Sequence, residues 1–137
     1  MFKLVLYRDS GGNSPIEDYI LNLNERALTS KNERVRLKKI TQYMALLEER
    51  GVSIGEPYVK HIDGDIWELR PTSDRVFFFH WQKGKLILLH HFVKKTNKTP
   101  PREIEQAKRN QKDFLARCAA RTTSHASDQG RNDSDGQ

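Results

Sequence analysis

Runs of apolar residues with strand or helix period divide the chain into one short strand, two helices, three further strands and a last helix. Residues 2–8, FKLVLYR, are rich in β-forming side chains, and the turn residues Asp9-Ser10-Gly11-Gly12-Asn13 follow. Ser14 before Pro15, with Glu17 three residues on, predicts a capped helix start, and Ile16, Tyr19, Ile20, Leu23 and Ala27 then fall on one face. After Thr29-Ser30, a second helical period from about Lys31 to Arg50 directs Val35, Leu37, Ile40, Met44 and Leu47 toward a core, and Gly51 predicts its stop. Two successive helices imply a helical hairpin, with Arg34, Arg36, Lys38 and Lys39 on its solvated face.

Gly55 and Pro57 mark a connecting loop over 52–59, and from Lys60 the pattern turns strand-like. Ile66–Arg70 (IWELR) predicts a strand closed by Pro71-Thr72-Ser73-Asp74. Arg75–Gln82 (RVFFFHWQ) predicts its neighbour, and Lys83-Gly84 turns the chain into Lys85–Lys95. This third strand is apolar on both faces from Leu86 to Leu89, as expected of a central strand covered on both sides. In the second, Phe77, Phe79 and Trp81 share a face with Arg75, while Val76, Phe78 and His80 share the other. Thr99-Pro100-Pro101 announces a last helix to about Arg117, with Ile104, Ala107, Gln111 and Phe114 on one side. The order β-α-α-β-β-β-α predicts an α+β domain over residues 1–117, an antiparallel sheet with an N-terminal helical hairpin and a C-terminal helix. Residues 118–137 are polar, hold no aliphatic side chain larger than Ala, and read as a disordered tail.

A length of 137 residues fits one hydrophobic core. The single cysteine, Cys118, leaves nothing within the chain for a disulfide, and Cys/His spacings for structural zinc are missing, so the expected setting is the reducing cytoplasm. The apolar stretch at the start is too short and too charged for a signal peptide, and the longest uncharged apolar run, Leu86–Val93, is far below the roughly 20 residues needed to span a bilayer. The formal net charge is +6, and residues 58–117 carry all of that excess, with thirteen Lys/Arg against seven Asp/Glu. Such asymmetry predicts a polyanion-binding face built by the second half of the chain.

Walker, GxGxxG and GxSxG motifs are missing, and His61-Ile62-Asp63-Gly64-Asp65 reads as a turn rather than a metal loop, so neither metal nor cofactor is expected. His90 and His91 are neighbours in a strand and point to opposite faces, so only one of them can serve a given site. The informative residues are cations at strand ends. Arg70 ends one strand, Arg75 begins the next, and Lys94 and Lys95 end the third; antiparallel topology brings all four to one rim of the sheet, where solvent-facing side chains are expected. With Lys60 approaching from the loop and a histidine (His61, His90 or His91) nearby, they would form a positive site for RNA phosphate. Cleaving RNA through its own 2′-hydroxyl needs a base for that proton, an acid for the leaving 5′-oxygen, and cations for the phosphorane.

The segments IWELRP, RVFFF and LLHHFVKKTNKTPPREIEQAKR resemble the characteristic region of HigB-like toxins of the RelE superfamily, many of them phage-derived. The likeness in layout covers about residues 1–115 and is specific over about 66–110. It implies a RelE-like, microbial-RNase-like fold and a metal-independent endoribonuclease that cuts mRNA on the ribosome. It also implies a cognate helix-turn-helix antitoxin as partner, and no membrane. Residue by residue it points to Arg70, Arg75, Lys94 and Lys95 as phosphate-binding or acid–base groups, with His91 and Thr96 as further candidates. Lys60, His61, Thr96 and Lys98 are the candidate RNA contacts. The chain departs from better-defined RelE toxins in having no obvious catalytic tyrosine near its C-terminus. Two other readings share the pattern: a ParE-like toxin acting on a protein target such as DNA gyrase, and a non-catalytic nucleic-acid-binding phage regulator.

Overall fold

Ser14 and Ser30 begin the two helices of the hairpin, and each does so by the same device. The Ser14 hydroxyl accepts from Glu17 N at 3.3 Å and the Ser30 hydroxyl from Glu33 N at 3.4 Å, satisfying amides that a helix leaves unpaired in its first turn. The resulting helices are α1 (Pro15–Ala27) and α2 (Lys31–Arg50). Gly51 ends α2 at φ +61°, and a Cβ there would stand 2.8 Å from the Phe2 ring, so both conformation and space call for glycine. The computed structural model describes the backbone of residues 1–132 and the side chains as far as Arg121.

Five strands form one sheet in the order β1-β5-β4-β3-β2: β1 (Lys3–Leu6), β2 (Val59–Asp63), β3 (Ile66–Leu69), β4 (Asp74–Trp81) and β5 (Lys85–Val93). The domain is α+β, as its pattern predicts. Two features go beyond the antiparallel meander. The sheet is mixed, because β1 pairs parallel with β5 in the register Leu4↔Leu86 and Leu6↔Leu88. The helical hairpin carries the chain from one sheet edge to the other, which leaves the first and last strands running the same way. The second feature is β2, an additional edge strand paired with β3 through Val59↔Leu69, Lys60↔Glu68 and His61↔Trp67. Only Val59 of its five residues is fully buried, so hydrophobic alternation does not reveal it.

Both faces of the sheet are covered. Ile16 of α1 and Leu47 of α2 pack with Val59, Leu69, Val76, Phe78, Leu86 and Leu88 on one face. On the other, Ala107 of α3 (Pro101–Asn132) joins Ile66, Phe77, Phe79, Ile87, Leu89 and Phe92, with Ile104 and Phe114 against them. Central strand β5 is buried from Leu86 to Leu89, as expected. A bulge interrupts it: Phe77 pairs with His90 and Phe78 with Leu88, leaving Leu89 over. Asn110 of α3 donates to the Leu89 carbonyl at 2.8 Å and so satisfies a backbone group that the bulge removes from the ladder. Tyr7, whose hydroxyl donates to Asp113 at 2.6 Å, and Arg117, which reaches the Arg8 carbonyl, tie the same helix to the chain after β1.

Helix α3 does not stop near Arg117. It continues to Asn132, since residues 102–129 contain neither Pro nor Gly and Ala119, Ala120 and Arg121 favour helix. The tail expected at 118–137 is thus helical in its first part, and residues 133–137 lie outside the described residues. No helix among the described residues is long and apolar enough to cross a membrane.

A candidate anion site at the sheet rim

The end of β3, the start of β4 and the end of β5 meet at one rim, with Asp74 opposite Val93, Arg75 opposite Phe92 and Leu69 opposite Val76. The convergence expected from antiparallel topology is present in the backbone. Two polar centres, back to back across the sheet, occupy this rim.

On the α3 face the centre is Glu68, a side chain absent from the sequence-based candidates. Its carboxylate is 1% exposed and is shared by two guanidinium groups, with Arg70 Nε at 3.6 Å and Arg75 Nε at 3.7 Å. Neither distance is a hydrogen bond, and both Nε atoms are buried without a hydrogen-bond partner. Arg75 Nη1 donates to the Thr72 carbonyl at 2.6 Å and to the Asp74 carbonyl at 2.9 Å, which fixes the guanidinium plane. Thr72 adopts φ +53° to turn its carbonyl this way. For a β-branched residue that conformation costs on the order of 1–3 kcal/mol and is held by the surrounding turn, where Asp74 N bonds the Pro71 carbonyl. Burial, followed by the opposing pull of Glu68 and the push of Arg70, leaves the Arg75 pKa below its ordinary value, and the group stays charged at neutral pH.

The lysine-bearing loop is moored to the same carboxylate. Thr99 Oγ1 donates to Glu68 Oε2 at 3.4 Å, Lys94 N donates to the Ser73 carbonyl at 2.8 Å, and Thr96 Oγ1 closes a turn on the Lys98 carbonyl at 2.7 Å. Lys95, Thr96 and Lys98 are exposed, Lys94 half-buried. Lys60 is cross-strand to Glu68 and exposed, so it joins this side of the rim. His61 does not: it pairs with Trp67, its ring 5.3 Å from that indole, and its Nε2 lies 2.7 Å from the Gly64 carbonyl. Arg75 also departs from expectation. At 9% exposure it is buried rather than solvent-facing, because its strand position shares a face with Phe77 and Phe79 beneath α3.

Across the sheet lies a second centre built on Asp74, which is fully buried. Its Oδ1 accepts from the Tyr19 hydroxyl at 2.6 Å and from Arg36 Nη2 at 2.7 Å, and His91 Nε2 stands 2.9 Å away; Oδ2 takes Arg36 Nε at 3.2 Å. Burial alone would raise the Asp74 pKa, but the hydrogen bonds from His91, Arg36 and Tyr19 outweigh it and hold the carboxyl well below the usual range. Burial lowers the His91 pKa despite Asp74, and its ring stacks on Tyr19 with centroids 3.4 Å apart. His91 is therefore engaged on the hairpin face, away from Glu68. Arg36, expected on the solvated face of α2, instead points inward between Asp74 and Glu33. Val35, about 100° around the helix, is correspondingly turned out and 51% exposed.

The β5 bulge decides which histidine faces which centre. Simple alternation from Leu88 would put His90 on the hairpin face; the extra residue Leu89 sends it to the α3 face instead, where Nε2 meets Glu103 Oε1 at 2.7 Å. His90 and His91 do point to opposite faces, and His90 is the one that shares a face with Glu68 and Arg75.

No curated protein matches the chain. A family model described as phage-derived protein Gp49-like (DUF891) matches residues 26–112, a span that includes α2, all four strands from β2 to β5, the rim arginines and the lysine loop. With more than half of its length matched in this way, the chain belongs to the phage-derived Gp49-like family.

Proposed function

We propose that this protein is the toxin of a type II toxin–antitoxin system, of the HigB-like branch of the RelE superfamily, and that it cuts mRNA on the ribosome. The observation that carries the reading is the imbalance at Glu68: two guanidinium groups stand at one buried carboxylate, and Thr99 tethers to it the loop that carries Lys94, Lys95 and Lys98. A structural ion pair needs one cation per carboxylate. The surplus here, on the rim of a rigid sheet, suits a phosphodiester.

In this reading Arg70, 23% exposed at its side chain, grips the scissile phosphate with the lysines of the 94–98 loop. Arg75, held by the Thr72 carbonyl, fixes Glu68 and through it Arg70. His90 with Glu103 supplies an acid–base pair on the same face, and the 2′-hydroxyl attacks while the 5′-oxygen leaves. A site with so few reactive groups depends on the substrate being held in line, which a translating ribosome does. The partner is a helix-turn-helix antitoxin, and the protein works in the cytoplasm.

Induced expression in bacteria, with mapping of new mRNA ends, tests the proposal. Growth arrest with new ends inside translated codons is expected of the wild type. Arrest with DNA damage and intact mRNA would point to the gyrase-directed sibling instead.

A further inference from the structure

A cleft of about 450 Å³ opens on the hairpin side of the sheet, between α2 and the segment entering β2, within the size range of about 300–1,000 Å³ typical of small-molecule sites. Lys39, Gln42, Tyr43, Glu49 and Tyr58 line it, and the two tyrosine rings meet edge-on with centroids 5.1 Å apart. One hydrogen bond joins the cleft to the rim. The Tyr58 carbonyl accepts from Arg70 N at 2.9 Å, so one wall of the cleft is bonded to the strand end that carries Arg70.

We propose that this cleft is a nucleobase subsite: it takes one unpaired base of the RNA whose phosphate meets Arg70, stacked on Tyr43 or Tyr58. The proposal rests on the nuclease reading above and deepens it by naming where sequence preference is read. Single-stranded RNA is recognised by splaying out bases, stacking them on aromatic rings and bonding their edges. The cleft offers each element. Its tyrosines give faces, the Gln42 amide both donates and accepts, Glu49 accepts from exocyclic amines, and Lys39 donates to ring carbonyls or to the next phosphate. Two tyrosine rings with Ala45 and Leu46, beside one amide, one carboxylate and one ammonium, suit a planar ligand with apolar faces and hydrogen-bonding edges.

The test uses the full chain and a short single-stranded RNA, blocked from cleavage by 2′-O-methyl groups and carrying a fluorescent base analogue. The wild type is expected to bind it and to quench the base by stacking. Tyr43→Ala and Tyr58→Ala are each expected to bind roughly 5- to 150-fold more weakly and to lose the quench, whereas Tyr43→Phe and Tyr58→Phe retain both. The same oligonucleotide with abasic positions should bind wild type and tyrosine variants alike. If Tyr43→Ala fails to fold by circular dichroism, the exposed Gln42→Ala carries the test through a changed preference among the four bases. Undiminished binding and quenching in the tyrosine variants, or an unchanged base preference in Gln42→Ala, overturns the subsite. Arg70→Ala separates the two ideas. Loss of binding in Arg70→Ala alone leaves the nuclease reading standing without the subsite, and unchanged binding in Arg70→Ala removes both.

Discussion

Asp74 is buried on the side of the sheet facing the helical hairpin, and four donor contacts from three residues account for its charge. The sequence reading places it in a turn, although the same period-2 pattern that puts Val76 and Phe78 in the core puts Asp74 on their face. A charge at such a position has to find partners elsewhere in the chain, and no local rule says that Arg36, 38 residues away, is one of them. By contrast, the meeting of Arg70, Arg75 and the 94–98 loop at one rim is legible, because antiparallel topology alone requires it.

Both Asp74 and His91 have depressed pKa values in the folded state, so each contributes stability above its unfolded pKa that is lost as pH falls. Unfolding midpoints should therefore drop in two windows, below about pH 6.5 for His91 and below about pH 3.9 for Asp74. His91→Asn should flatten the first and Asp74→Asn the second, as read from denaturant titrations across pH; unchanged profiles would mean that the network does not couple to folding. Arg36→Ala removes one partner of a buried carboxylate and is expected to cost on the order of 3 kcal/mol in the same titrations. Exposed Lys38→Ala should instead stay within about half a kcal/mol.

At the level of elements, caps and turns make α1 and α2 readable to within a residue, since Ser14, Ser30 and Gly51 act locally. Strand β2 is legible only as a strand-like stretch from Lys60, because its pairing with β3 rather than its own apolar content sets its bounds. The β5 bulge is also hidden: the partner of the Leu89 carbonyl that it frees, Asn110, comes from α3. Helix α3 docks through Ile104, Ala107, Asn110, Asp113, Phe114 and Arg117, all before Cys118. A chain ending at Cys118 should keep its thermal midpoint within a few degrees of the full protein, and a larger fall would mean that the helical extension packs on the domain. Thr99→Val cuts the mooring of the lysine loop to Glu68. It should leave the midpoint nearly unchanged, since the bond is long, yet slow RNA cleavage by loosening Lys94, Lys95 and Lys98. Equal cleavage rates would show that the loop needs no anchor.

For the whole molecule, charge follows architecture. The half of the chain that builds β2 to α3 carries the net positive charge, and the fold gathers part of it at the rim where strands end, around a carboxylate too few to neutralise it. A rigid sheet buried on both faces holds these groups without help from a substrate. The most direct measurement is the rate of mRNA cleavage by purified protein in a reconstituted translation system, beside the same mRNA free of ribosomes, for wild type and Arg70→Ala. Fast, metal-independent cutting on ribosomes and little on free RNA are expected. Arg70→Ala should be folded and slower by roughly 100- to 1000-fold, the usual loss when one preorganised donor to a developing oxyanion is removed. Equal cutting by wild type and a folded Arg70→Ala variant, or no ribosome-dependent cutting at all, would contradict the nuclease reading.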